Sequence, residues 1–83
     1  EEEYVEYEQL IEKVMRIIEN MPQQTATVLK KCFIERKKYQ EAGDELGISI
    51  NTVRWHITKA ISILREKMSD IEMVLLYAYF LKK

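Results

Sequence analysis

The stretch that decides the fold runs from Tyr39 to Met68, YQEAGDELGISINTVRWHITKAISILREKM. Its first part, from about Gln40 to Leu46, has helical spacing and stops at Gly47, a residue free to take the left-handed conformation that closes a helix. Ser49 then stands at the N-cap of a second helix, its hydroxyl able to accept from the backbone N–H of Asn51 or Thr52. Two helices joined by so short a turn must cross steeply, which needs a small residue at the crossing; Gly43 supplies it. The pattern predicts a helix-turn-helix.

Around the second helix, at 100° per residue, Val53, Ile57, Ala60, Ile61 and Leu64 share a sector of roughly 100°, the width of a stripe turned to a core. Asn51, Trp55, Thr58, Lys59 and Ser62 share the opposite side, with Arg54 on its flank. Amide, hydroxyl and cationic groups near the start of the second helix are the side-chain types that read base edges in a major groove. A merely solvated face would carry similar polar groups. It would not need the indole of Trp55, which in that position points to a contact with DNA or with protein.

A chain of 83 residues is one small domain, able to bury about 60% of its unfolded surface, so its helices must share a single core. One proline, two glycines and no low-complexity run argue for closely connected helices without a flexible linker or internal repeat. The predicted fold class is an all-α bundle of about five helices containing the helix-turn-helix. The net charge of −1 argues by itself against nucleic acid, but its distribution does not. Residues 1–20 carry seven acids against Lys13 and Arg16, whereas residues 21–68 carry nine bases against five acids. An acidic arm thus precedes a basic body able to face phosphates.

Cys32 is the single cysteine, so no intrachain disulfide can form; beside Phe33 on a helix it reads as a buried apolar thiol suited to a reducing cytoplasm. With no signal peptide and no initiator methionine, the sequence reads as a piece of a longer protein.

Taken in order, Tyr4, Tyr7, Ile11, Val14, Ile18 and Met21 recur at alternating three- and four-residue steps, with Leu10 and Ile17 widening the stripe. Residues 1–20 are therefore an amphipathic helix with glutamates toward its N-terminal end, where the helix dipole favours them. Its uses are packing on the rest of the domain or a short coiled-coil seam. Asn20-Met21-Pro22 is a break. The next helix is expected from about Pro22 to Glu35, with Val28, Leu29, Cys32 and Phe33 inward and Lys30 and Lys31 exposed. Lys31, Arg36, Lys37 and Lys38 then cluster where a helix-turn-helix can approach the DNA backbone, unless they form an ordinary solvated connection. Tyr39 is placed to pack under that loop.

The segment 69–83 is a final helix, capped by Ser69 or Asp70. Its apolar run from Ile71 to Leu81 spans about 16 Å, roughly half a bilayer core, so membrane insertion is not expected. Being apolar on all sides, it must be covered from more than one direction, and any part left bare is a candidate protein-protein surface, including one for self-association.

Catalytic chemistry finds little to work with. His56 and Cys32 are the sole members of their types, so a zinc site of the usual kind cannot form within one chain. There is no Ser/His/Asp set and no glycine-rich phosphate loop. Glu41, Asp44 and Glu45 read as surface charges. No cofactor and no enzymatic activity are expected.

From Ile18 to Met68 the chain resembles region 4 of the sigma-70 family, especially the short extracytoplasmic-function (ECF) sigma factors of bacteria. The resemblance is carried by Met21-Pro22 where the family opens with Leu-Pro, by the apolar helix through Val28 to Phe33, and by Tyr39 to Glu41. Leu46-Gly47-Ile48-Ser49, Thr52-Val53 and Leu64-Arg65-Glu66-Lys67 complete it. Departures from the family are Ala42 in place of a larger aliphatic, Gly43 in place of alanine, and Arg36-Lys37 in place of Gly-Leu. The first two are expected to weaken the first helix, since glycine inside a helix costs about 1 kcal/mol relative to alanine.

The resemblance implies binding of the −35 promoter element through the second helix, with Asn51, Thr52, Arg54, Trp55, Thr58 and Lys59 toward DNA; the cluster of bases, not the resemblance, adds Lys37 and Lys38 at its edge. It implies docking on the β flap of RNA polymerase and an anti-sigma factor as a candidate partner. Region 2 of the family lies outside these residues. The nearest rival is the LuxR-type helix-turn-helix of response regulators, which shares Ile-Ser-x-x-Thr-Val-x-x-His at Ile48 to His56, though its second helix usually stops with a Lys-Leu-Gly-like sequence. A protein-interaction module without DNA binding is the other alternative.

Overall fold

A computed structural model describes the backbone of residues 2–81 and the side chains of residues 7–79. The elements are α1 (Glu2–Glu19), α2 (Gln23–Leu29), which runs into a π-helical turn at Lys30–Ile34, then α3 (Tyr39–Leu46), α4 (Ile50–Lys67) and α5 (Asp70–Leu81). Among the described residues these make an all-α bundle of five α-helices with no strand.

The helix-turn-helix forms for the local reasons read from its sequence. α3 ends at Gly47, which takes the left-handed conformation at φ 70° and donates its N–H to the Gly43 carbonyl; the N–H of Ile48 reaches the same oxygen at 3.0 Å. Ser49 caps α4 by accepting from the N–H of Thr52 at 3.1 Å. At Gly43 the helices come so close that an added Cβ would lie 2.7 Å from the Ile48 carbonyl oxygen and 3.5 Å from Val53 Cγ2. Gly43 is thus the small residue expected at the crossing: alanine there would push a backbone oxygen aside, whatever glycine costs the helix itself.

α4 is the central element. Val53, Ile57, Ala60 and Leu64 are buried and Ile61 is half-buried, which is the predicted stripe. Against it pack Val28 and Leu29 of α2, and Leu10, Val14, Ile17 and Ile18 of α1, with Met21, Met68, Met73 and Leu76 completing one continuous core. The inward face of α1 is turned slightly from its predicted phase. Tyr7 and Ile11 are only half-buried, while Leu10 and Ile17 are buried; the Tyr4 side chain lies outside the described residues.

Three expectations need correction. The helix predicted over Pro22 to Glu35 is α-helical only to Leu29, after which the Glu35 N–H reaches back five residues to the Lys30 carbonyl at 3.0 Å. The wide turn closes with Arg36 in the left-handed conformation at φ 62° and the Lys37 N–H on the Lys31 carbonyl at 3.0 Å. Arg36 thus does at this helix end what Gly47 does at the end of α3. Lys31 is half-buried rather than exposed.

The third correction concerns α5, which among the described residues is covered on one face only. Met73 and Leu76 enter the core, whereas Ile71, Val74 and Tyr77 stay exposed. Its start is fixed reciprocally: Ser69 Oγ accepts from the Glu72 N–H at 3.1 Å and the Glu72 carboxylate accepts from the Ser69 N–H at 2.8 Å. Lys13 of α1 donates to the same carboxylate at 2.9 Å. These bonds, that from the Ser69 backbone first, hold the Glu72 carboxyl below the usual carboxylate range.

The left-handed backbone at Arg36 yields a comparison of two variants that both remove its side chain. Arg36→Gly should unfold at a higher denaturant midpoint than Arg36→Ala, by about 1 kcal/mol, because only glycine takes this conformation without a Cβ penalty. Equal stability of the two would show that φ at residue 36 is not constrained.

Candidate nucleic-acid interface

Because the core stripe fixes the rotation of α4, the opposite face is turned outward with its residues in known register. Asn51, Arg54, Trp55, Thr58, Lys59 and Ser62 are all exposed, while Thr52 is half-buried beside the cap. Arg54 Nη1 donates to Asn51 Oδ1 at 3.3 Å, so the amide and the guanidinium of the first turn are paired in the free protein. One turn further, the Lys59 ammonium lies 5.0 Å from the centre of the Trp55 ring, within the range in which a cation is attracted to an indole face.

The Trp55 ring is also held from the side. It meets the His56 imidazole edge to face, with centres 4.9 Å apart and planes at 82°. His56 itself is buried, and its Nδ1 is hydrogen-bonded to Thr25 Oγ1 of α2 at 2.9 Å. This pair, buried in an otherwise apolar core, was not visible from the sequence. A signal existed: His56 follows Val53 by three residues and precedes Ala60 by four, so it borders the core stripe and needs a polar partner.

The basic cluster before α3 is only partly available. Glu45 accepts from Lys31 through Oε1 and from Lys37 through Oε2, both at 2.9 Å, and Glu35 lies 3.8 Å from Lys31. The hydrogen bonds from Lys31 and Lys37 hold the Glu45 carboxyl below the usual carboxylate range; the same bonds raise the two lysines. Glu45 is thus a bridge from α3 to the π turn rather than an isolated surface charge. Lys38 is exposed and its side chain is turned to solvent, while its backbone N–H is bound by the Glu41 carboxylate at 2.8 Å.

Cys32 is half-buried, and burial raises its thiol pKa. Tyr39 is half-buried against the core, and burial raises its phenol likewise. Among the described residues no group of three His, Cys, Asp or Glu side chains could hold a metal ion, and no helix is long and apolar enough to cross a membrane.

Two helices joined by a short turn and in close contact at Gly43, with a polar outer face on the second, are the arrangement of a helix-turn-helix domain. Residues 11–64 match the family model of sigma-70, region 4, and the chain belongs to that family. Region 4 is a DNA-binding, non-catalytic part of the transcription-initiation machinery, with promoter DNA and RNA polymerase as its general partners. No curated protein and no solved structure matches the chain.

Two measurements probe these polar contacts. Thr25→Val leaves His56 Nδ1 without its partner and should cost about 1–3 kcal/mol in chemical unfolding; an unchanged midpoint would mean that the buried bond contributes nothing. The second compares Glu45→Gln with the parent across pH. A carboxylate whose pKa is lowered on folding stabilises above its unfolded pKa, and that stabilisation is lost as pH falls through the folded value. The parent should therefore melt above Glu45→Gln at neutral pH, and the gap should close below the usual carboxylate range. A gap that persists unchanged into acid would contradict the bridge.

Proposed function

We propose that this chain recognises the −35 element of bacterial promoters in the manner of an ECF sigma factor, through the outer face of α4. The observation that carries the reading is that Asn51, Arg54, Trp55, Thr58 and Lys59 stand exposed together on the face of α4 opposite its buried stripe. With Thr52 at the start of the helix, they form a row of amide, hydroxyl, guanidinium and ammonium groups on a cylinder narrow enough for the major groove.

Around this row, phosphate contacts come chiefly from Lys38 and the flank of α4. Lys37 contributes at the edge by exchanging Glu45 for a phosphate. The domain docks on the β flap of RNA polymerase and works in the bacterial cytoplasm. The exposed Ile71, Val74 and Tyr77 of α5 offer a surface to a protein, for which an anti-sigma factor and a second copy of the chain are the candidates. In this division, residues 1–20 form the acidic helix, 21–68 the DNA-reading unit and 69–83 the apolar helix.

The test is selection of bound sequences from a pool of random duplexes, with and without a fused β-flap peptide. One short motif bound by a single copy supports the sigma reading. A two-fold repeat would show that the domain binds as a pair rather than as a single copy, and no enrichment would favour a protein-interaction role. Three or four phosphate contacts predict that log affinity falls with log salt at a slope of about −3.

Arg54→Ala should weaken binding to the selected motif by about 1–3 kcal/mol, concentrated at one guanine. A titration showing equal loss on unrelated duplexes would make Arg54 a phosphate contact instead.

A further inference from the structure

Trp55 differs from its neighbours on the outer face of α4 in what it can offer a base pair. Asn51, Arg54, Thr58 and Lys59 have hydrogen-bonding groups that match base edges, whereas an indole has one N–H donor, no acceptor and a large apolar surface. Its side chain is 57% exposed and is the large apolar group that α4 leaves open among the described residues. It also sits at the middle of the face, four residues after Asn51 and three and four before Thr58 and Lys59, so nothing on that face can approach a groove without it.

The ring is not a loose side chain. His56 meets it edge to face at 4.9 Å, and His56 is anchored through Thr25 at 2.9 Å; the Lys59 ammonium lies 5.0 Å from its centre. A pre-oriented apolar surface costs little side-chain entropy on binding and favours a partner that is itself apolar at that point. In the major groove the one apolar group that distinguishes the base pairs is the C5-methyl of thymine.

We infer that Trp55 is a specificity-determining residue that selects thymine by apolar contact with its C5-methyl group, the hydrogen-bonding residues around it reading the adjoining positions. The inference rests on the DNA-reading role of α4 and adds to it the class of base that this residue accepts. On binding, the Lys59 ammonium is displaced from the ring toward a phosphate or a base acceptor, leaving the indole to the methyl group.

Replacement of single thymidines by deoxyuridine removes that methyl and leaves every hydrogen-bonding group of the base in place. The 83-residue chain and its Trp55→Ala and Trp55→Phe variants are titrated by fluorescence anisotropy against the selected duplex, with each dT replaced in turn. At one or two positions deoxyuridine should weaken binding of the parent by about fourfold, the value of one buried methyl group. Trp55→Phe should keep part of that penalty, and Trp55→Ala should show none. Circular dichroism of each variant establishes that it is folded.

If the parent binds its duplex but tolerates deoxyuridine everywhere, or if Trp55→Ala keeps the same penalty, the inference is overturned while the DNA-reading role stands. If no duplex is selected at all, both fall, and the exposed indole belongs to a protein contact.

Discussion

The arrangement depends on how closely α3 and α4 approach at Gly43. An added Cβ at that point would come within 2.7 Å of the Ile48 carbonyl oxygen, so the backbone of the turn lies directly against α3. The same carbonyl of Gly43 receives the N–H groups of Gly47 and Ile48, which ties the end of one helix to the approach of the next. With the crossing fixed in this way, Val53, Ile57, Ala60 and Leu64 must point into the core, and the rotation of α4 follows. The outward register of Asn51, Arg54, Trp55, Thr58 and Lys59 is a consequence of that rotation rather than of any contact they make themselves.

Electrostatics then divide the basic body into engaged and available cations. Lys31 and Lys37 share Glu45, and this bridge holds the π turn and the loop after it against α3. Lys38, Arg54 and Lys59 are exposed. A small net charge is compatible with a DNA-facing surface, because seven of the fourteen acids lie within residues 1–20 and Glu35 and Glu45 are engaged with Lys31 and Lys37.

How much of this could be read from the sequence depended on the range of the interactions. Gly47, Ser49 and the stripe of α4 were legible because a cap or a helical period is decided within a few residues. The exposed row on α4, where the candidate interface lies, followed from the same period. The Thr25–His56 bond joins residues 31 apart and the Lys13–Glu72 bond residues 59 apart, and such pairings exist only once the helices are packed. The π turn was hidden because Lys30 to Ile34 has ordinary helical composition; its widening is tied to the left-handed ending at Arg36. α5 was ambiguous for a different reason. A helix apolar on every side has no phase, so the sequence could not say that Met73 and Leu76 would turn inward and Ile71, Val74 and Tyr77 outward.

The central claim is that the outer face of α4 reads DNA, and amide chemical-shift mapping tests it most directly. An isotope-labelled chain is titrated with a duplex carrying its selected motif, and the perturbed backbone amides are assigned. The account predicts that the largest shifts fall between Asn51 and Lys59, extend to Lys38, and leave the exposed face of α5 unchanged. Shifts concentrated on Ile71, Val74 and Tyr77, or none in α4 at duplex saturation, would contradict it.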